Sequence, residues 1–135
     1  MKLLLDINVL LDVLLQRGPW AESAASLLTR IERGEASGFV AGHTLTTIHY
    51  VVSRTRNRQL AAAAVTDLLR FLEVVPIEKV DFSQALVLPT DDFEDAVQAA
   101  AALKMGADYI VTRDEEGFRG LTIPSMNPGE VLALL

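Results

Sequence analysis

Short apolar segments alternate with longer amphipathic segments along the whole chain, and this alternation is the strongest constraint on its fold. The apolar segments are typical of buried strands and cover residues 2–5, 38–40, 73–77, 107–112 and 121–124. Apolar residues at helical spacing predict helices over residues 8–16, 20–33, 45–54, 59–72, 82–88 and 92–104, with a last one opened by residues 127–130. Strands that alternate with helices favour a sheet covered on both faces. The sequence therefore predicts an α/β fold, a three-layer α/β/α sandwich with a mostly parallel central sheet.

Length and composition narrow the class of protein. A chain of 135 residues predicts a single domain over residues 1–135. The chain has no cysteine, and neither a signal peptide nor a membrane span is predicted, so we expect a cytoplasmic protein that does not bind membranes. A net charge of −6 argues against broad electrostatic binding of nucleic acid. Half of the residues are apolar and the mean hydropathy is +0.29, which predicts a homodimer that buries apolar surface.

Three acidic residues follow strand-like segments or open a helix. Asp6 follows the first predicted strand, Asp114 follows the segment 107–112, and Asp95 lies in the first turn of an alanine-rich helix. In a parallel sheet the carboxyl ends of the strands face one crevice. Three carboxylates in that crevice would repel one another unless a cation lay between them. Oxygen ligands without histidine or cysteine favour Mg²⁺ or Mn²⁺ over Zn²⁺.

Each of these acids also has a structural interpretation. Asp6 can cap the helix that follows it, and Asp114 can belong to a polar turn. Asp95 can complete a capping box with Asp92. Asp92 and Asp95 are three residues apart, so we expect them to share a helix face from which Glu94 points away, and Asp92 is a further candidate metal ligand. The convergence of the acids, rather than any one of them, favours a metal site.

Four other residues are candidates for supporting roles. Thr112 can hold a neighbouring carboxylate through its hydroxyl group, and Arg113 is a candidate contact for a substrate phosphate. Asp12 is predicted to lie on a solvated helix face or to support the site from behind. Trp20 is predicted to lie in the core or in an interface.

Three segments together resemble the motifs of PIN-domain proteins. They are the residues 6–12 (Asp-Ile-Asn-Val-Leu-Leu-Asp), the helix that contains 92–102, and the strand end 111–114. The resemblance covers essentially the whole chain and extends to the VapC toxins among the small members of the family. It implies a metal-dependent ribonuclease that cleaves single-stranded RNA, with an antitoxin protein as partner. It also implies that Asp6, Asp95 and Asp114 bind the metal and that Asn8 orients a ligand or water.

The chain departs from this family pattern at Thr47. The family usually has a glutamate on the helix after the second strand, and Thr47 stands in its place. A threonine can hold water but carries no charge, so the site is one negative charge poorer unless Asp92 or Glu94 compensates. The alternative is therefore a PIN-fold module with weak catalysis that binds RNA or a protein partner.

A response-regulator receiver is a further α/β alternative with acidic residues after its first strand. Such a domain needs a second acid beside Asp6, an aspartate after the middle strand that ends near Val75, and a late lysine. In this chain Asp6 alone ends the first strand, no aspartate directly follows Val75, and no lysine lies beyond Lys104. The sequence therefore disfavours a receiver domain.

Overall fold

Five strands form a single sheet in the computed structural model, which describes residues 1–135. The strands are β1 (Lys2–Leu5), β2 (Ser37–Ala41), β3 (Glu73–Val75), β4 (Tyr109–Val111) and β5 (Ser125–Met126). All neighbouring strands are parallel, in the order β3-β2-β1-β4-β5. The first strand of the chain is therefore the centre of the sheet, and the prediction of a parallel α/β fold is confirmed.

Seven α-helices connect these strands. They are α1 (Ile7–Leu14), α2 (Ala21–Glu32), α3 (Gly42–Thr55), α4 (Arg58–Phe71), α5 (Lys79–Ala85), α6 (Phe93–Met105) and α7 (Pro128–Leu132), with 3₁₀ turns at Gly18–Trp20 and Glu115–Phe118. Residues 127–130 open α7 as predicted, and they form a capping box in which the Asn127 side chain accepts a hydrogen bond of 2.9 Å from the Glu130 amide. No helix has both the length and the apolar character that crossing a bilayer requires.

The side chains of β1 alternate between two separate cores. Leu3 and Leu5 pack into the core that the sheet shares with α1–α4 and α7. Leu4 points to the other face and packs with the alanines of α6. All three leucines are completely buried, as the central strand of a covered sheet requires. These two cores produce the three layers of the sandwich.

Helix α6 lies close against the sheet because small residues form its buried surface. Ala99, Ala100, Ala101 and Ala102 have no solvent exposure. The helix ends at Gly106, whose φ of 70° is in the left-handed region that glycine adopts without steric cost. Since α6 runs back along the sheet, its first turn lies near the carboxyl ends of the strands.

Several predicted boundaries differ from the structure by two or three residues, and two elements are displaced along the chain. The strand predicted at 121–124 is wrong: the last strand is β5, because the ladder with β4 pairs Ser125 with Ile110 and Met126 with Val111. Helix α5 begins before the predicted residue 82, because Glu78 and Asp81 form a capping box at its start. Neither shift alters the strand ends at which the acidic residues lie.

Candidate functional site

The carboxyl ends of β1 and β4 lie side by side at the centre of the sheet. Leu5 pairs with Val111, and the Asp6 amide donates a hydrogen bond of 2.9 Å to the Val111 carbonyl. Asp114 follows three residues after Val111. The two acids that end these strands are therefore neighbours in the crevice where parallel α/β sheets bind their ligands.

The Asp6 side chain is buried although it is a carboxylate, and two side chains donate hydrogen bonds to it. Its side chain makes no capping hydrogen bond to α1, so the capping role does not occupy it. The Thr112 hydroxyl donates to Oδ2 at 2.7 Å and the Gln98 amide donates to Oδ1 at 2.8 Å. Asp6 is only 2% exposed. Burial raises the pKa of Asp6, and the charge of Asp114 adds to the rise, whereas the two hydrogen bonds oppose it.

Gln98 is a site residue that the sequence analysis missed. It is completely buried in α6, and its Nε2 also lies 3.3 Å from Oδ1 of Asp95. Its Oε1 accepts a hydrogen bond of 3.1 Å from the Ile7 amide. One amide side chain therefore joins Asp6, Asp95 and the start of α1. A polar residue within an alanine-rich buried helix was the available signal, because buried amides need partners.

Asp95 and Asp114 approach each other beside Gly117. A Cβ atom at position 117 would lie 3.1 Å from Oδ2 of Asp114 and 3.4 Å from Oδ2 of Asp95. Burial and then the charges of Asp6, Asp92, Asp114 and Glu94 raise the pKa of Asp95 to about 7. The structure thus brings Asp6, Asp95 and Asp114 together, and the repulsion among them adds to the effect of burial on the pKa of Asp95.

Thr112 connects the two strand-end acids. Besides donating to Asp6, its oxygen accepts a hydrogen bond of 2.9 Å from the Asp114 amide and one of 3.4 Å from Nδ2 of Asn8. This arrangement directs the Asn8 amide nitrogen to Thr112. Oδ1 of Asn8 is left buried without a hydrogen-bond partner. Since the Asn8 side chain contacts Thr112, its unpartnered oxygen is one that a cation or water near Thr112 can use.

The residues of the crevice fit a hard divalent cation by their chemistry. They supply carboxylate oxygens, the unpartnered Asn8 oxygen, and at Gly117 a position without a side chain that two carboxylate oxygens approach. No three carboxylate or histidine side chains already surround one point at ligand distance.

The acidic turn at the start of α6 differs from the prediction. Asp92 is the N-cap and is exposed, and its Oδ1 accepts a hydrogen bond of 3.0 Å from the Asp95 amide. Glu94 is half-buried, and burial, followed by the charges of Asp92 and Asp6, raises its pKa. A hydrogen bond with the Thr47 side chain opposes that rise. The first turns of α3 and α6 are in contact here, because Nε2 of His43 lies 3.4 Å from the Glu94 carbonyl.

Arg113 is held by two residues on the α1 side of the crevice. Its guanidinium donates to Asp12 at 2.8 and 3.3 Å and lies 4.0 Å from the centre of the Trp20 ring. Asp12, which also binds Arg17 at 2.9 Å, is 1% exposed, so the expectation of a solvated face was wrong. Long-range pairing with Arg113 explains its burial, which local helical spacing could not reveal. Trp20 is 44% exposed and stacks on Arg113, so it is not a core residue.

Two surface cavities lie at different distances from the carboxylates. The larger, of about 710 Å³, is polar and lies at the corner between α3 and α4, lined by His49, Ser53, Asn57, Arg58, Gln59 and Ala62. Another, of about 540 Å³, is lined by Arg113, Asp114, Glu115, Glu116, Arg119 and Ser125. The second cavity belongs to the site, because Asp114 lines it.

Comparison with protein families gives one match. The family model described as PIN domain matches residues 2–116, which include every acidic residue of the crevice. No curated protein matches the sequence significantly.

Solved structures of the same fold include several toxin–antitoxin complexes. VapBC2 of Rickettsia felis, bound to a promoter DNA fragment, has a TM-score of 0.72 at 15% identity, with 94% of this chain and 98% of that chain covered. VapC20 of Mycobacterium tuberculosis, described as a sarcin-ricin loop cleaving toxin, has a TM-score of 0.72 at 16% identity, with 89% and 96% covered. DNA-bound VapBC of Salmonella typhimurium has a TM-score of 0.73 at 17% identity, with 95% and 98% covered. At these identities the likeness is one of fold.

Proposed function

Because the chain belongs to the PIN-domain family, we propose that it is a metal-dependent endoribonuclease that cleaves single-stranded RNA. The single observation that supports this most is the convergence of Asp6, Asp95 and Asp114 at the carboxyl ends of β1 and β4. These three residues would hold a Mg²⁺ or Mn²⁺ ion, with Asp92 as a further candidate. When bound, such an ion activates water and stabilises charge on a phosphodiester.

The other residues of the crevice support the carboxylates. Thr112 fixes Asp6 and the backbone of Asp114 through the hydrogen bonds of one hydroxyl group. Asn8 offers its free oxygen to a ligand or water, and Thr47 contributes a hydroxyl on the α3 side. Arg113 lines the cavity beside Asp114, where an RNA phosphate would contact it, although Asp12 already occupies part of its guanidinium.

The test is cleavage of a fluorescently labelled single-stranded RNA by the purified protein. We expect products with Mg²⁺ or Mn²⁺, none after chelation with EDTA, and none from Asp95→Asn with either ion. Cleavage that persists in EDTA would contradict metal dependence. Cleavage that persists in Asp95→Asn at the wild-type rate would contradict the assignment of the site.

A catalytically weak PIN-fold module is the second candidate, and Thr47 is the observation that favours it. A threonine supplies no charge, and no three acids already surround one point. This candidate predicts RNA or protein binding without cleavage, and no Mn²⁺ binding up to millimolar concentration. The same purified protein therefore separates the two functions.

We further propose two protein partners. The first is an antitoxin, because the similar structures include VapBC toxin–antitoxin complexes, and the chain would then be the toxin of such a pair. The second is another copy of the chain. Large apolar side chains are exposed on α5 and beyond it, with Phe82, Val80, Leu86 and Val87 from 40% to 81% accessible.

The dimer is tested by light scattering coupled to size-exclusion chromatography. We expect the mass of two chains for the wild type, and a shift toward one chain when Leu86 and Val87 are both replaced by serine. These two side chains are exposed in the single chain, so their replacement should leave the fold intact. A wild-type protein with the mass of one chain at micromolar concentration would contradict the proposal.

A further inference from the structure

A third, smaller cavity adjoins the carboxylate crevice on the side of α1 and α7. Its volume is about 250 Å³, and its polar and aromatic lining residues are Asp12, Trp20, Ser23, Arg113 and Asn127. Arg113 also lines the cavity that contains Asp114, so one side chain borders both cavities. An extended ligand at Asp114 can therefore reach the smaller cavity along Arg113.

Trp20 gives the smaller cavity an aromatic surface that is accessible to solvent. It ends the 3₁₀ turn before α2, and 44% of its surface is exposed. The guanidinium carbon of Arg113 lies 4.0 Å from the centre of the ring, which is a stacking distance. A Cβ atom at Gly18 would lie 3.4 Å from Cζ3 of Trp20, so the turn itself packs against the indole. The ring is therefore anchored by its neighbours but is not enclosed in the core.

The buried Asp12 carboxylate fixes two arginines at this cavity. It accepts one hydrogen bond of 2.8 Å from Nε of Arg113 and one of 2.9 Å from Nε of Arg17. Asp12 uses Nε and Nη2 of Arg113, which leaves Nη1 for another acceptor. Two guanidinium groups against one carboxylate give the cluster one positive charge in a chain whose net charge is −6. The Arg113 and Arg17 side chains are 29% and 36% accessible, so this charge can meet a phosphate.

An exposed aromatic ring beside accessible guanidinium groups suits an unpaired nucleotide. The bases of single-stranded RNA stack on aromatic side chains and on arginine planes, and arginine binds phosphate. Oδ1 of Asn127 caps α7, which leaves its Nδ2 as a donor for the edge of a base. A helix of a partner protein would need a long apolar groove, whereas this lining is mostly polar. The chemistry of the cavity therefore favours RNA over a protein segment.

We propose that Trp20 is a nucleobase-stacking residue, and that the cavity between Trp20 and Arg113 holds a nucleotide that flanks the cleaved bond. This inference rests on the proposed function, which supplies the RNA. Arg113 would contact a phosphate between the carboxylates and the stacked base. Trp20 binds the substrate in this arrangement and takes no part in bond cleavage.

The experiment uses the fluorescence of Trp20, which is the only tryptophan of the chain. The purified protein is titrated in EDTA with a short single-stranded RNA of mixed sequence, and with an abasic RNA of the same length. The anisotropy of a label on each RNA measures its binding separately. We expect the RNA with bases to quench Trp20 in step with binding, and bound abasic RNA to leave its fluorescence unchanged. Equal quenching by the two RNAs would overturn the proposal.

Variants of Trp20 measure how much the stacked base contributes to affinity. We expect Trp20→Leu to weaken RNA binding by about 5- to 100-fold, as loss of one base–aromatic stack does. Trp20→Phe keeps an aromatic ring and should lose less. The matched control is Tyr50→Leu, because Tyr50 is 60% exposed and contacts Arg54 but lines neither cavity. We expect the control to change affinity by no more than about twofold. Circular dichroism checks that each variant folds, and a folded Trp20→Leu that binds RNA as tightly as wild type would overturn the proposal.

The outcomes separate this inference from the proposed function. If the wild type binds the single-stranded RNA without a change in Trp20 fluorescence, RNA binding stands and the inference alone is overturned. If the wild type binds neither RNA, the RNA substrate fails and the role of Trp20 fails with it. Since the titration is made in EDTA, a lack of cleavage bears only on the metal-dependent reaction.

Discussion

Asp6→Asn is expected to reduce both RNA cleavage and Mn²⁺ affinity by at least about a hundredfold, the upper end of what loss of an outer-shell partner costs. Asp6 is the carboxylate at the centre of the sheet, and both of its oxygens have fixed positions given by Thr112 and Gln98. Asparagine has nearly the same shape but carries no charge. Its amide also places a donor against the donors of Thr112 or Gln98. Cleavage rates under single-turnover conditions and calorimetric titration with Mn²⁺ measure the two effects.

The control for this variant is Asp108→Asn at the amino ends of the same strands, opposite to Asp6. Asp108 is exposed and directly precedes β4, and its carboxylate accepts a hydrogen bond of 2.7 Å from the amide of Lys2, the first residue of β1. We expect this variant to cleave RNA at the wild-type rate. If Asp6→Asn folds like wild type and still cleaves at the wild-type rate, Asp6 is not part of the site.

The strand ends could be predicted from the sequence because buried parallel strands are short apolar segments with distinct boundaries. The segment 2–5 agrees with β1, and the pairing of β1 with β4 brings Asp6 next to the residues that follow Val111. The rule that ligands bind at the carboxyl ends of parallel strands then placed two acids in one crevice. The strand β5 was missed because its register depends on pairing with β4. The more apolar residues Leu121 and Ile123 instead pack against the core around α6.

The environment of each acid could not be predicted in the same way. The expectation that Asp92 and Asp95 share a helix face assumed that both lie within one helix. Asp92 has φ −88° and ψ 124°, so it precedes the helix and helical spacing does not apply to it. Gln98 and Asp12 have partners about a hundred residues away in the chain, Asp6 and Arg113 respectively. Contacts of this kind depend on how the strands and helices pack, and local spacing carries no record of them.

Mn²⁺ affinity is expected to fall by up to about tenfold for each pH unit below pH 7, and by about fiftyfold between pH 7 and pH 5. Burial and the neighbouring acids raise the pKa of Asp95 to about 7, so below that pH its carboxyl group is mostly protonated. An ion must then displace the proton, whereas above pH 7 the carboxylate is already free. Calorimetry from pH 5 to pH 8 measures the slope. Asp95→Asn should bind more weakly and lose most of this dependence, and a wild-type affinity that is constant over this range would contradict the argument.

The raised pKa of Asp95 also makes the stability of the protein without metal depend on pH. Because the pKa of Asp95 in the folded chain is raised above its ordinary value of 3.8, its protonation favours the folded state. This contribution is complete below pH 3.8 and is lost as the pH rises through about 7. In EDTA, the melting temperature should therefore be higher at pH 6 than at pH 8.

Mn²⁺ at a hundred times its dissociation constant should add about 2.7 kcal/mol to the free energy of unfolding at either pH. Because the affinity is higher at pH 8, a fixed Mn²⁺ concentration should raise the melting temperature more there than at pH 6. Equal shifts at the two pH values would mean that the ion and the Asp95 proton do not compete for one site.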